Sequence, residues 1–163
     1  MSRLIRILIV ITVIGLGGGY FNRTYCLSDA GPQAVVQNYL TTMKDKCFED
    51  AFQFVTASMT DGKPAAAWAE QQSKMFKMAR VVINDIDVRP GHRELKNVFM
   101  CAANATVPNV LRASDVLNSQ GSTEFEIYKV IMDGDAWRID SQETLFDEAT
   151  IHQWFPDDQI PDF

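Results

Sequence analysis

The stretch that most constrains the fold runs from Ser122 to Ser141 and reads STEFEIYKVIMDGDAWRIDS. It predicts two β-strands joined by a tight turn at Asp133-Gly134-Asp135, because Gly supplies the positive φ that a hairpin turn requires. Pairing across this turn gives one face to five side chains: Tyr128, Val130, Met132, Trp137 and Ile139. We expect that face to point into the core, since a register slip of one residue would move Trp137 into water.

The opposite face of this hairpin is also apolar, although a half-solvated antiparallel sheet should be polar there. Something must therefore cover it. One candidate is the chain's own C-terminal tail, through Ile151, Trp154 and Phe155; the other is a partner protein or a second copy of the chain, giving a homodimer. On the second reading the candidate partner interface consists of Phe125, Ile127, Ile131, Trp154 and Phe155.

The N-terminal segment, residues 1–21, predicts an export or anchoring signal. Arg3 and Arg6 precede an apolar run that ends at Phe21. Residues 4–21 are long enough to span a membrane once, and glycines near the end of the run leave a cleaved signal peptide as the alternative. The basic start predicts a cytoplasmic N-terminus, so we expect a single-pass protein of the bacterial inner membrane with a periplasmic domain.

A single domain follows a short polar connector, residues 22–30. Helical spacing predicts three helices, from Gly31 to about Met43, from Phe48 to Val55 and from Pro64 to Arg80. The period then changes to two. Strands are expected at Val82–Val88 and Leu95–Val107, followed by a polar loop (Pro108–Gly121) and the hairpin. The fold class is therefore α+β, with three helices packed in a curved four-stranded antiparallel sheet. The domain occupies residues 31–144 and an acidic-apolar tail residues 145–163.

Two stretches carry a resemblance to a known superfamily. Pro32 to Val55 (PQAVVQNYLTTMKDKCFEDAFQFV) and Tyr128 to Asp140 (YKVIMDGDAWRID) resemble the first helices and the closing hairpin of the nuclear transport factor two and ketosteroid isomerase superfamily. The resemblance implies a cone-like fold. It does not select a function, because members include isomerases, cyclases, dehydratases, transport adaptors and assembly factors.

A pocket in such a cone would be lined by five aromatic side chains: Tyr39, Trp68, Phe99, Tyr128 and Trp137. An isomerase or cyclase would also need a general base there. Strand parity places Asp85, Asp87 and Asp140 on outward faces. We identify no catalytic residue, no cofactor motif and no metal ligands at a suitable spacing.

Three cysteines in an oxidising compartment allow one disulfide and one free thiol. The candidate pair is Cys47 and Cys101, which would join the helices to the sheet; Cys26 could pair with either.

The expected function is that of a non-catalytic, membrane-anchored accessory or assembly protein that binds a partner protein within a membrane complex. The net charge of −6 argues against nucleic acid as a partner. The alternative is a binder of a small apolar ligand, or an isomerase- or cyclase-like enzyme, that uses the cone pocket. An open cavity with a buried carboxylate would favour the alternative.

Overall fold

A computed structural model describes residues 12, 15–20, 23–26, 28–97 and 100–159. Within them the chain has an α+β fold with a four-stranded antiparallel sheet, which confirms the predicted class. The helices are α1 (Gly31–Lys44), α2 (Phe48–Ala51), α3 (Ala57–Thr60), α4 (Ala65–Ala79) and α5 (Glu148–Trp154). The strands are β1 (Val82–Val88), β2 (Leu95–Asn97), β3 (Met100–Cys101), β4 (Asn104–Ser114), β5 (Ser122–Asp133) and β6 (Ala136–Leu145).

The helical layer begins with α1, whose buried face follows the predicted spacing. Pro32 occupies the first turn, where a missing N–H costs nothing. Gly31 precedes it because Trp137 leaves no room for a side chain: a Cβ at Gly31 would lie 2.6 Å from Trp137 Cδ1. After α1, Lys46 takes a φ of 61° and turns the chain into α2. The predicted second helix is therefore shorter than expected and ends in a 3₁₀ turn (Phe52–Phe54).

The sheet has the order β1-β4-β5-β6. The prediction of a strand ending at Val107 and a loop from Pro108 is wrong, because β4 continues to Ser114. Pro108 is tolerated inside this strand since it lies opposite the end of β1, where its carbonyl accepts from Arg89 N–H at 2.9 Å. The chain between β1 and β4 instead forms a separate short hairpin, β2 with β3.

A β-bulge in β6 changes which side chains face the helices. The register shifts between Lys129 and Val130 of β5, and Asp140 is the extra residue on β6. Beyond the bulge, Gln142 pairs opposite Tyr128 and so shares its helix-facing side. Simple alternation from Trp137 would have directed Gln142 away from the helices.

The sheet separates two apolar cores. The larger one lies between the sheet and helices α1, α2 and α4, and the smaller one lies on the outer face. The outer core contains six buried side chains: Val110, Phe125, Ile127, Leu145, Ile151 and Phe155. Helix α5 and the residue after it supply Ile151 and Phe155, and the rings of Phe125 and Phe155 are 5.0 Å apart. The chain's own tail therefore covers the outer face.

This burial corrects the candidate partner interface. Phe125, Ile127 and Phe155 are at most 5% exposed, so they are enclosed within the chain and offer no surface to a partner. Ile131 and Trp154 are half-buried, and the Trp154 ring lies 5.5 Å from the ring of His92.

The cysteine pairing also differs from the candidate. Cys26 is bonded to Cys101, across 75 residues of sequence, and Cys47 is an exposed free thiol. Cys47 lies immediately before α2, whereas Cys101 lies in β3 of the short β2–β3 hairpin. The disulfide therefore joins the connector to the hairpin, not the helices to the sheet.

Most of the predicted membrane segment, residues 1–21, lies outside the described residues. Those described at positions 15–20 and 23–26 are helical. Among all helices in the described ranges, none combines the length and apolarity needed to cross a bilayer.

Candidate functional site

A buried carboxylate, Glu126 of β5, lies on the helix-facing side of the sheet and is 1% exposed. Its placement follows from alternation along β5, because Tyr128 is two residues further on and faces the same core. Phe125 and Ile127, on either side of it, face the outer core. Both faces of the sheet are thus covered where Glu126 sits.

Three neutral side chains donate hydrogen bonds to this carboxylate. Asn109 Nδ2 and the Tyr128 hydroxyl donate to Oε2 at 2.8 and 2.9 Å, and Gln142 Nε2 donates to Oε1 at 2.5 Å. Asn109 comes from β4 and Gln142 from β6, so three adjacent strands build the cluster. We call Asn109, Glu126, Tyr128 and Gln142 the Glu126 cluster.

The electrostatics of the cluster are dominated by burial. Burial raises the pKa of Glu126, and the hydrogen bonds from Asn109, Tyr128 and Gln142 offset only part of that effect. Burial also raises the pKa of Tyr39 to about 12, with a further contribution from the charge of Glu126. The pKa of Tyr128 lies well above its usual value for the same reasons, burial first. The cluster can therefore hold a proton on Glu126 at a pH where an exposed glutamate would have lost it.

A cavity of about 250 Å³ adjoins the cluster, between α1, α4 and the sheet. Glu126, Tyr128 and Gln142 form part of its wall, and Tyr39 of α1 faces them with its ring 6.5 Å from that of Tyr128. The rest of the wall is largely apolar, including Leu111 of β4. Gln142 is exposed and marks the mouth of the cavity.

The five predicted pocket residues are only partly brought together. Tyr39 and Tyr128 line the cavity. Trp68 is buried among the helices, with its ring 5.9 Å from that of Phe52. Trp137 packs beneath Arg93, whose guanidinium carbon lies 4.8 Å from the ring centre. Phe99 lies outside the described residues.

Sequence reasoning missed Glu126, although the signal was present. The same alternation that turned Tyr128 inward also turned Glu126 inward. The search for a base considered Asp85, Asp87 and Asp140 and did not extend to Glu126. Glu126 is flanked by Phe125 and Ile127, and their burial on the outer face leaves it no outward position.

The aspartates considered as bases have other roles in the fold. Asp85 is exposed and forms an ion pair with Arg112 at 2.7 Å. Asp87 forms one with Arg89 at 2.9 Å. Asp140, at the bulge, accepts a hydrogen bond from the Thr56 hydroxyl at 2.9 Å.

No known family model matches this sequence, and a comparison with curated proteins finds no match. Among solved structures, the chain is similar to one described as "Structure of Bdellovibrio bacteriovorus Bd1075", with 10% sequence identity and a TM-score of 0.47. The match covers 68% of this chain and 38% of that one, so this chain spans well under half of the other's length. Likeness at this level carries no argument about this chain, and membership of the nuclear transport factor two superfamily stays a prediction.

Proposed function

We propose that this protein binds a small ligand in the cavity between the helices and the sheet, with Glu126 as the group that recognises it. The observation that carries the proposal is a carboxylate that is 1% exposed yet forms part of a cavity wall. Burying an ionisable group in an otherwise apolar core costs stability. Such groups with shifted pKa values are common at functional sites.

The geometry supports binding more directly than catalysis. The cavity volume of about 250 Å³ lies just below the ~300 Å³ at which pockets for drug-sized ligands begin, so the ligand would be small. Every hydrogen bond to the Glu126 carboxylate within the described chain comes from a neutral side chain. These bonds fix the carboxyl group in one orientation, as recognition requires.

A matched pair of leucine variants tests this proposal. Leu111 lines the cavity and is 9% exposed, whereas Leu117 is 93% exposed in the loop after β4. Leu111→Phe should fill the cavity, and Leu117→Phe makes the same change at the surface. We expect ligand-observed NMR with a library of small fragments to find binders that the full-length wild type and Leu117→Phe retain and Leu111→Phe loses. If every fragment binds Leu111→Phe as well as it binds the wild type, the cavity is not a ligand site.

We further propose that the domain is cone-like, with its sheet curved around the helices, and that residues 4–21 anchor it on the periplasmic side of a bacterial inner membrane. The Cys26–Cys101 disulfide supports a compartment outside the cytoplasm, where such bonds persist. Protease added to intact spheroplasts should digest the domain but not a cytoplasmic control protein. Protection of the domain until the membrane is broken would contradict this location.

A second candidate function is binding of a partner protein within a membrane complex. The outer sheet face no longer supports it, but two exposed apolar side chains do. Leu117 and Phe146 are 93% and 79% exposed and follow the ends of β4 and β6, which lie at the same end of the sheet. Isolated surface leucines are ordinary, whereas an apolar patch indicates contact. Replacing both with Ser should abolish co-purification of a stoichiometric partner from solubilised membranes; an unchanged complex would exclude this surface.

A further inference from the structure

The titratable side chains in the cavity wall are acidic or phenolic, and none of the described ones is basic. The wall contains two carboxylates, Glu124 and Glu126, and none of the described residues that line it is Lys, Arg or His. Glu124 is half-buried nearer the mouth, and Glu126 is buried at the inner wall. A ligand inside would therefore meet negative charge that no basic side chain of the wall compensates.

Asn109, which is not among the residues that line the cavity, contacts the buried carboxylate of its wall. Asn109 donates through Nδ2 to Glu126, but its buried Oδ1 has no hydrogen-bond partner in the described part of the chain. Buried acceptors are usually paired with a protein donor or an ordered water. The unpartnered acceptor thus lies beside a carboxylate whose own partners are all uncharged.

Aromatic rings complete the surroundings of the carboxylates. Tyr39, Phe76 and Tyr128 line the cavity, from α1, α4 and β5 respectively. The faces of such rings attract cations, most strongly where water is excluded. The remaining wall consists of Met43, aliphatic side chains that suit an apolar body, and the amides of Gln72 and Gln142.

We propose that the ligand is a small organic ammonium ion, a protonated amine carried on a compact apolar body. An ammonium group offers only donors and a positive charge, which complements the carboxylates of Glu124 and Glu126. It would supply the counter-charge that the Glu126 cluster lacks. A ligand anion would meet two like charges, and a neutral alcohol would leave the carboxylates uncompensated. This inference rests on the proposed ligand site and specifies its chemistry.

Binding should depend on pH in a defined direction. The titratable groups that face Glu126 are Glu124 on its own strand, Tyr128, and Tyr39 from α1; Asn109 and Gln142 do not titrate. Since the tyrosines stay neutral until strongly alkaline pH, deprotonation of Glu126 controls the charge at the inner wall. Affinity for an amine should therefore rise with pH until the amine itself loses its proton.

Three probes of nearly equal shape test the proposal on the full-length protein: phenethylamine, 2-phenylethanol and phenylacetate. We expect calorimetric titration at neutral pH to show that the amine binds at least ~10-fold more tightly than the alcohol, with the acid weakest. Glu126→Gln keeps the shape and most hydrogen bonds of the side chain and should remove this preference. Glu143→Gln, at an exposed position of β6, is the matched control and should retain it.

Glu124→Gln provides a second variant at a half-buried position, where folding is less at risk, and should weaken amine binding several-fold. If the alcohol or the acid binds as tightly as the amine, and Leu111→Phe abolishes that binding, the ammonium inference is wrong while the ligand site stands. If no probe shows binding that Leu111→Phe abolishes, the ligand site fails and the inference fails with it.

Discussion

Among single residues, Glu126 stands out because it is 1% exposed although it forms part of the cavity wall. The helices cover one face of the sheet, and α5 with Phe155 covers the other. Within the described residues, the side-chain hydrogen bonds of Glu126 come from Asn109, Tyr128 and Gln142, which are all neutral. Burial raises the pKa of Glu126, which means that the folded protein holds this proton more tightly than the unfolded chain does.

This shift predicts a specific pH dependence of stability. Above the unfolded pKa of about 4.3, the folded state binds more protons at Glu126 than the unfolded state, so the contribution of this residue to stability falls as pH rises through the folded pKa. Glu126→Gln has no such loss. We expect the stability of the variant, relative to wild type, to increase with pH across this window in urea unfolding.

The control for this measurement is Glu143→Gln, which removes an exposed carboxylate from β6. Equal pH dependence in both variants would mean that the burial of Glu126 does not perturb its protonation.

The Tyr128 hydroxyl gives a second prediction at this scale. It donates to Glu126 at 2.9 Å, and Tyr128 is fully buried. Tyr128→Phe leaves the carboxylate with one donor fewer and should reduce the free energy of unfolding by about 1–3 kcal/mol. The matched change Tyr25→Phe, at a residue that is 61% exposed, should stay within about 0.5 kcal/mol of wild type in the same chemical denaturation experiment. Equal effects would argue against the Glu126–Tyr128 hydrogen bond.

At the scale of secondary-structure elements, α5 decides what the outer sheet face can do. The N-cap residue of the helix is Asp147, whose carboxylate accepts a hydrogen bond from Thr150 N–H at 2.8 Å. Phe155, the residue after the helix, packs against Phe125. The sequence offered this tail as one of two possible covers for the outer face, and Ile151 and Phe155 do fill the outer core.

Two phenylalanines at the two ends of this segment test its role. Phe155 is 1% exposed and Phe146 is 79% exposed. Phe155→Ala should cost about 3–5 kcal/mol of unfolding free energy by opening a cavity in the outer core. Phe146→Ala should change it by less than about 0.5 kcal/mol. If thermal or urea unfolding gives the same loss of unfolding free energy for both variants, α5 does not pack on the sheet.

Two elements, α1 and the β5–β6 hairpin, were predictable from the sequence, whereas the bulge in β6 and the full length of β4 were not. Helical spacing in Val35 to Met43 and the Asp-Gly turn predicted α1 and the β5–β6 hairpin, because both signals are local. The bulge at Asp140 and the continuation of β4 past Pro108 were not predictable in that way. Each depends on where a neighbouring strand ends or slips, and this is set by tertiary pairing.

At the scale of the whole molecule, the Cys26–Cys101 disulfide links the N-terminal connector to the β2–β3 hairpin. Spacing in the sequence left three pairings open, and only the fold selects one of them. The candidate site was also only partly predictable: Tyr39 and Tyr128 were named from the sequence, and alternation along β5 could have added Glu126. Asn109 and Gln142 required the register of the neighbouring strands.

Thiol mapping tests this pairing. In the unreduced, unfolded protein we expect alkylation at Cys47 alone, followed by labelling of all three cysteines after reduction. Closing a loop of 75 residues should make the oxidised form more stable than the reduced form by about 4 kcal/mol. Recovery of a labelled Cys26 with Cys47 protected would support the alternative pairing of Cys47 with Cys101.

A crystal structure of the protein bound to its tightest fragment would decide whether the cavity beside Glu126 is a ligand site. We expect electron density for the fragment between α1, α4 and the sheet, with a polar atom within hydrogen-bonding distance of the Glu126 carboxyl group. A fragment bound elsewhere on the surface, with the cavity closed by its own side chains, would contradict this expectation.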